Sequence, residues 1–208
     1  MKIIPICPSS FASNTYLIVS SSHALAVDPS VSVAAIDRAL EAEGATLEGI
    51  LLTHGHFDHM LSVESLITDE SKSEKPKIYI HSSDAELLSD GRKNAFYEFF
   101  GSERVFPPAD VLLEDGDIIP LGDEEIRVIH TPGHTRGSVC YLCGTELISG
   151  DTLFSNSYGR CDLYGGDIKK LAESLGRLRG LDPLLTIYPG HGASSLLGSA
   201  LDNVAYFF

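Results

Sequence analysis

The 208-residue sequence predicts an α+β fold in which two β-sheets pack face to face with helices on their outer sides. Three observations carry this. Strand-like apolar runs fall into two groups, one in the N-terminal part and one over residues 111–150. Segments with a helical apolar period lie between and after them. Hydrophobic residues make up 43% of the chain, as expected of a globular protein with a full core. The length fits one domain, residues 1–208.

Residues 2–6 and 14–19 read as strands, joined by a Pro8-Ser9-Ser10 loop. A third strand, 24–27, runs into Asp28-Pro29-Ser30. Asp28 either caps this turn or reaches the histidine loop downstream, and the turn role is the expectation. Residues 32–43 form a helix with Val33, Ile36, Ala39 and Leu40 on one stripe, stopped by Gly44. A buried strand follows at 49–53, then a helix from 59 to 67 and a strand at 77–80. Ser83-Asp84-Ala85-Glu86 has the form of a capping box opening a short helix. His81 has no partner at ligand spacing and reads as structural.

Residues 90–110 gather Phe96, Tyr97, Phe99, Phe100 and Phe106 without clear periodicity. A wall over a site, a subunit interface and ordinary core packing all fit this segment. Strands are expected at 111–113, 118–121, 126–130, 139–142 and 147–149, separated by glycine-containing turns. A helix at 167–178, a strand at 184–188 and a closing helix at 194–206 complete the chain.

The most informative stretch is Thr53-His54-Gly55-His56-Phe57-Asp58-His59 at the end of the 49–53 strand. In extended chain, side chains two apart share a face, so His54 and His56 sit side by side. Asp58 and His59 follow where the chain bends. Imidazole and carboxylate suit zinc, iron or manganese. Three further candidates each follow an apolar strand and a glycine: His134, Asp151 and His191. Together they supply the groups that two adjacent divalent ions would need. His54, His56 and His134 form one set, Asp58, His59 and His191 the other, and Asp151 can bridge. Zinc is the first expectation, with iron or manganese as alternatives. Three protein ligands plus water is the open arrangement of catalytic sites.

The formal net charge of −14 repels phosphate backbones and disfavours nucleic acid or anionic membranes as partners. No apolar run approaches membrane-spanning length. Pro5 and Pro8 interrupt the N-terminal apolar stretch too early for a signal peptide. Four cysteines do not suggest a disulfide scaffold. The expectation is a cytoplasmic protein acting on a small-molecule substrate, with its oligomeric state open. Cys140-x-x-Cys143 spans a strand and a turn and reads as packing. Cys161 lies beside the proposed site, and a small buried side chain is the expected role.

These motifs resemble those of the metallo-β-lactamase-fold superfamily, and within it the glyoxalase II-like hydrolases. The resemblance spans the chain from Asn14-Thr15-Tyr16 to Pro189-Gly190-His191. It implies the αβ/βα four-layer sandwich with the site at one edge between the sheets. It also implies metal ligation by the same seven residues, with Asp58 orienting the attacking water as the catalytic carboxylate. His130 matches a common non-ligand position and is expected to be a buried support for its loop. Residues 154–167 resemble the Gly-Arg-x-Asp-x-x-Gly-Gly segment of short bacterial glyoxalase II-like proteins. Within it Arg160 and Tyr158 are candidates for substrate binding. Arg136, Lys169 and Lys170 are further local cations that read equally well as surface charges.

Two cations on one water lower its pKa toward neutrality, so no serine or cysteine nucleophile is needed. A thioester suits this site, because its thiolate leaves without a strong general acid. An acylglutathione such as S-lactoylglutathione is the leading substrate. The added C-terminal helical domain with which classical glyoxalase II binds glutathione is not expected within residues 1–208. A lactonase and a mononuclear-iron persulfide dioxygenase are the alternatives that the resemblance offers. Common metallo-β-lactamases carry cysteine where this chain has Asp151, which points away from antibiotic hydrolysis.

Overall fold

A computed structural model describes residues 1–7, 12–69 and 75–207. The loop expected at Pro8-Ser9-Ser10 lies outside the described residues. The first sheet has the strand order β1 (Lys2–Ile6), β2 (Thr15–Ser20), β3 (His23–Val27), β4 (Thr46–Leu51), β5 (Lys77–His81) and β6 (Val111–Leu113). Its first three strands are antiparallel neighbours, and β3 to β6 run parallel. The second sheet runs β7 (Ile118–Leu121), β8 (Glu124–His130), β9 (Val139–Cys143), β10 (Glu146–Gly150), β11 (Thr186–Pro189) and β12 (Ser195–Leu196). Its pairs are antiparallel except β10 with β11.

Both faces of each sheet are covered, so strand residues alternate between two apolar environments. Tyr16 and Ile18 of β2 point between the sheets, where they meet Val128, Tyr141 and Ile148. Leu17 and Val19 point outward against α1 (Val33–Glu43) and the segments after β4. On the far side, Ile129, Cys140 and Leu147 of the second sheet pack on α5 (Ile168–Leu178) and α6 (Leu197–Val204). The result is the four-layer α+β sandwich expected. Among the described residues no helix is long and apolar enough to cross a membrane.

Several boundaries differ from expectation, each for a local reason. The 49–53 strand starts at Thr46, because β3 pairs with it from His23 onward despite the polar residues there. The helix expected at 59–67 divides. Phe57–His59 is one 3-10 turn, and α2 covers only Val63–Ile67. Ser62 pins the break, its amide donating to Pro29 O and its hydroxyl to Val31 O. The strand expected at 184–188 begins only at Thr186, since the Asp182 carboxylate holds Leu184 N–H in a turn. The closing helix is preceded by β12 and shortened to Leu197–Val204, with a 3-10 turn after it. The capping box does not form. Asp84 makes no side-chain cap for α3 (Ala85–Leu88), because its carboxylate is used elsewhere.

Between the sheets, Tyr141 is fully buried and its hydroxyl donates to Leu52 O at 2.8 Å. Burial pushes the phenol well above its ordinary pKa, so it remains a donor at all working pH. Tyr141→Phe removes that donor from a buried carbonyl. We expect a loss of about 1–2 kcal/mol in urea unfolding, with unchanged circular dichroism.

Candidate metal centre

Strand ends that meet at one edge of the sandwich deliver every candidate ligand. β4 leads into His54, β8 into His134, β10 into Asp151 and β11 into His191. The 3-10 turn at Phe57–His59 swings Asp58 and His59 back toward His54. Gly190 permits the closure, since a Cβ there would lie 2.2 Å from Asp151 Oδ1 and 2.6 Å from His59 Cε1. All seven predicted residues converge. Three triads of donor atoms lie within 4.8 Å of one another: His54, His56 and His134; His54, His59 and Asp151; and Asp58, His59 and His191.

Hydrogen bonds at the rim fix which ring nitrogens face the centre. Thr53 Oγ1 donates its only proton to Asp28 Oδ2 at 2.6 Å. It must therefore accept from His54 Nδ1, 3.1 Å away. His134 Nδ1 donates to Arg160 O at 2.7 Å. Both rings then turn a bare Nε2 inward, and these two nitrogens are only 3.2 Å apart. Two lone pairs at that distance in a buried site repel unless a cation or proton lies between them. His56 Nδ1 stands 2.9 Å from the same His134 nitrogen, while its Nε2 is buried without a hydrogen-bond partner.

The second half of the cluster is richer in carboxylates. His59 Nδ1 donates to Asp28 Oδ2 at 2.8 Å. Its Nε2 faces Asp151 Oδ1 at 3.4 Å and Asp58 Oδ2 at 4.0 Å. Among the described residues, neither His59 Nε2 nor Asp151 Oδ1 has a hydrogen-bond partner of ordinary geometry, although both are buried and face each other. His191 Nε2 lies 3.3 Å from Asp58 Oδ2 and 3.7 Å from Asp151 Oδ2. Asp151 thus faces donors from both sets, the position required of a bridge. Orphaned buried donors and opposed lone pairs are the features a pair of divalent cations resolves, and the arrangement is compatible with a binuclear site.

Charge states follow. Burial, together with the neighbouring imidazoles, lowers His54 well below its ordinary pKa. The same causes bring His56 down to about 3, against weaker support from Asp58 and Asp151. Burial opposes charge on His59 too, but Asp151, Asp28 and Asp58 outweigh it and hold the ring protonated well above the usual range. Burial raises the carboxyl of Asp151, yet His59, His134 and His191 pull it far below the usual carboxylate range. Asp58 behaves likewise, lowered mainly by His59 and His191 against burial.

Asp28 therefore does more than shape a turn, which corrects the expectation for it. It is buried, sits at φ 49°, and joins Thr53 N–H, the Thr53 hydroxyl and His59. Asp84 is a second carboxylate missed as a site residue. It is fully buried and accepts from Gly55 N at 3.0 Å, Thr135 Oγ1 at 2.7 Å and Gly137 N at 2.6 Å. One side chain thereby ties the His54–His59 loop to the His134 loop across the two sheets. No spacing rule in the sequence indicates these partners.

Other expectations resolve individually. Arg160 lines the cavity beside the cluster, but its guanidinium is held by Asp162 at 2.6 and 2.7 Å, and its carbonyl is what touches His134. Tyr158 packs half-buried against the outer core of the second sheet, apart from the cavity lining. Arg136 lies over the Tyr164 ring, and Lys169 and Lys170 are exposed at the start of α5. His81 stacks on His130 at 3.9 Å and is structural as expected. His130 is half-buried rather than buried, because it ends β8 beside the exposed Arg136; its Nε2 still supports the loop by donating to Arg136 O. Cys140 and Cys143 are buried free thiols, and Cys161 is half-buried. Phe106 joins the core, whereas Phe99 and Phe100 line the cavity.

Known proteins resemble this chain in sequence and in fold. The family described as Metallo-beta-lactamase superfamily matches residues 9–191. A relative from Bacillus velezensis, named as the probable polyketide biosynthesis zinc-dependent hydrolase BaeB, is 34% identical over 196 residues, covering 90% of this chain and 77% of its own. The crystal structure of BLEG-1 B3 metallo-beta-lactamase superposes with a TM-score of 0.85 at 33% identity, over 97% of this chain and 96% of that one. The structure of TTHA1623 in a di-iron-bound form gives 0.80 at 32% identity, over 94% and 96%.

Two predictions follow from the rim carboxylate and the buried rings. Asp28→Asn keeps the shape but removes the charge that orients His59, so zinc affinity should drop by about 10–100-fold in competition with a chelator. In metal-free protein, the unfolded chain protonates His54 and His56 near their ordinary pKa of about 6.5, whereas the folded chain resists. The unfolded state then binds more protons, so stability falls as pH drops from about 6.5 toward 4. His59 adds no slope there, because its raised folded pKa makes its contribution complete below the ordinary value. Urea titrations at several pH values measure this.

Proposed function

The chain belongs to the metallo-beta-lactamase superfamily of metal-dependent hydrolases, and from that premise we propose that it is a binuclear hydrolase of thioesters. The observation that carries this reading is the pair of opposed donor sets joined by Asp151. His54, His56 and His134 would hold one ion, and Asp58, His59 and His191 the other, with Asp151 shared. Zinc is the first candidate, with iron or manganese as alternatives. Two ions there would supply a strong water nucleophile at neutral pH and a Lewis acid for the carbonyl oxygen.

The chain's own groups supply the rest. Asp58 is ionised, reaches into the cavity and can accept a proton from the attacking water. Asp28, Thr53 and the Arg160 carbonyl keep the rings aimed, so the donor atoms that would hold the ions are in place before substrate arrives. A thiolate leaving group needs no proton from the protein. An acylglutathione such as S-lactoylglutathione is the reference substrate. Glyoxalase II-like action in the cytoplasm is the setting this implies. β-Lactam hydrolysis is a second reading, favoured by the likeness to a B3 metallo-beta-lactamase.

Elemental mass spectrometry of protein purified without added metal should give two ions per chain. One iron per chain with the second site empty would replace this reading with a mononuclear-iron oxidation. Asp58→Ala and His56→Ala should each lower thioesterase kcat/KM by about 10³-fold. Full activity in chelated, metal-free protein would exclude the mechanism. Faster turnover of a cephalosporin than of any thioester would promote the second reading.

A further inference from the structure

We propose that the cavity beside the cluster is an acyl pocket and that the true substrate carries an apolar group of hexanoyl or phenylacetyl size on its reacting carbonyl. This rests on the hydrolase reading above and names its substrate class. The cavity has a volume of about 580 Å³. The histidines and aspartates form one wall. Most of the remaining lining is apolar, with Phe57, Phe99, Phe100, Phe154 and Leu163 beside Arg160. Phe99 and Phe100 are 58% and 51% exposed, so neither ring is there to fill the core. Large apolar rings kept in water around a cavity mark a surface that binds something apolar.

The wall is built and anchored. Its helix, α4 (Phe96–Phe100), is five residues long and bracketed by two left-handed residues, Ala95 at φ 68° and Gly101 at φ 66°. Ala95 is buried and not a glycine, so its conformation costs about 1 kcal/mol and must be imposed by its surroundings. Asn94 imposes it. Its Nδ2 donates to Arg104 O at 2.9 Å, and its Oδ1 accepts from Phe96 N at 3.0 Å. Its carbonyl accepts from Phe57 N at 3.0 Å, inside the ligand loop itself. The Phe57 ring then meets Phe96, Phe99 and Phe100 at centroid distances of 5.3, 5.5 and 5.6 Å. The residue between His56 and Asp58 is thus the root of the aromatic wall, and the wall faces whatever reacts at the cluster.

A second cavity, of about 640 Å³, shares Ala95, Arg160 and Leu163 with the first. It carries charges of both signs, including Arg92, Lys93, Glu98 and Asp162. A substrate spanning both would place its polar thiol arm among the charges and its acyl group against the phenyl rings. The reverse orientation would strand charge among apolar side chains. A lactoyl group, small and hydroxylated, leaves most of the wall in water.

The test uses zinc-loaded protein and acetyl, lactoyl, hexanoyl and phenylacetyl thioesters of one thiol, N-acetylcysteamine. One fully buried methylene is worth about a fourfold factor, so partial burial of several should favour the two large apolar groups by about tenfold or more in kcat/KM. Phe99→Ala and Phe100→Ala should collapse that ratio to about threefold or less, with metal content unchanged. Equal kcat/KM for lactoyl and hexanoyl, or a preference that survives both variants, overturns the proposal. If no thioester is cleaved, the hydrolase reading fails separately, and calorimetry decides the pocket. Hexanoate binding more tightly than lactate, through Phe99 and Phe100, supports it; equal affinity overturns it. A dimer in sedimentation that Phe100→Ala dissociates would assign the wall to a second copy of the chain and also overturn it.

Discussion

Asp28 accepts from the backbone and hydroxyl of Thr53 and from the ring of His59, and the rest of the site is arranged around those three bonds. The hydroxyl proton committed to Asp28 forces the Thr53 oxygen to accept from His54, which settles the tautomer of that ring. His54 then presents a lone pair toward His134, whose own tautomer is set by the Arg160 carbonyl. A single buried carboxylate so orients two rings, His59 through a direct bond and His54 through the Thr53 hydroxyl proton. Without it, the crowding of imidazoles at this edge would relax by turning nitrogens outward. The cost of gathering unpaired donors in a dry place is carried by the frame, and a cation is what lowers it.

Much of this was legible in the amino-acid order. His-x-His-x-Asp-His is compact because one strand end and one turn deliver four groups, so local spacing reports their convergence. His134, Asp151 and His191 were legible because each repeats the strand-then-glycine pattern. Asp28 was misjudged because its partners lie far along the chain and its own neighbours, proline and serine, spell an ordinary turn. Asp84 illustrates the same limit. Its neighbourhood has every residue of a capping box, but long-range donors from Gly55, Thr135 and Gly137 outcompete the local amides. The aromatic segment showed no period because its helix is too short to have one. Its left-handed Ala95 is imposed by contacts with Arg104 and Phe57 that no local rule anticipates.

Arg160 shows how a residue can be picked for the wrong atom. A cation in a loop beside an active site invites an anionic ligand, yet Asp162 already occupies the guanidinium. The carbonyl, invisible to any reading by residue type, is the group that touches His134. Cys140 and Cys143 give the converse lesson. The spacing invites a shared ion, but on a strand, positions three apart face opposite sides. Cys140 lies under the outer helices and Cys143 between the sheets. Burial pushes their thiols up to about 11 and about 12, so neither competes as a thiolate for ions bound nearby.

The two sheets are each made from one continuous stretch of chain, the first ending at Leu113 and the second beginning at Ile118. Asp28, His54, His56, Asp58 and His59 therefore belong to one half, and His134, Asp151 and His191 to the other. Strands within each sheet pair mostly with close neighbours in sequence, whereas the cluster depends on docking the finished sheets. Contacts of such long sequence separation form late, because they close the largest loops. The donor set is thus incomplete on either half alone, and the folding step that joins the halves is the step that creates the site. A chain stalled before docking would present two partial donor sets in place of one.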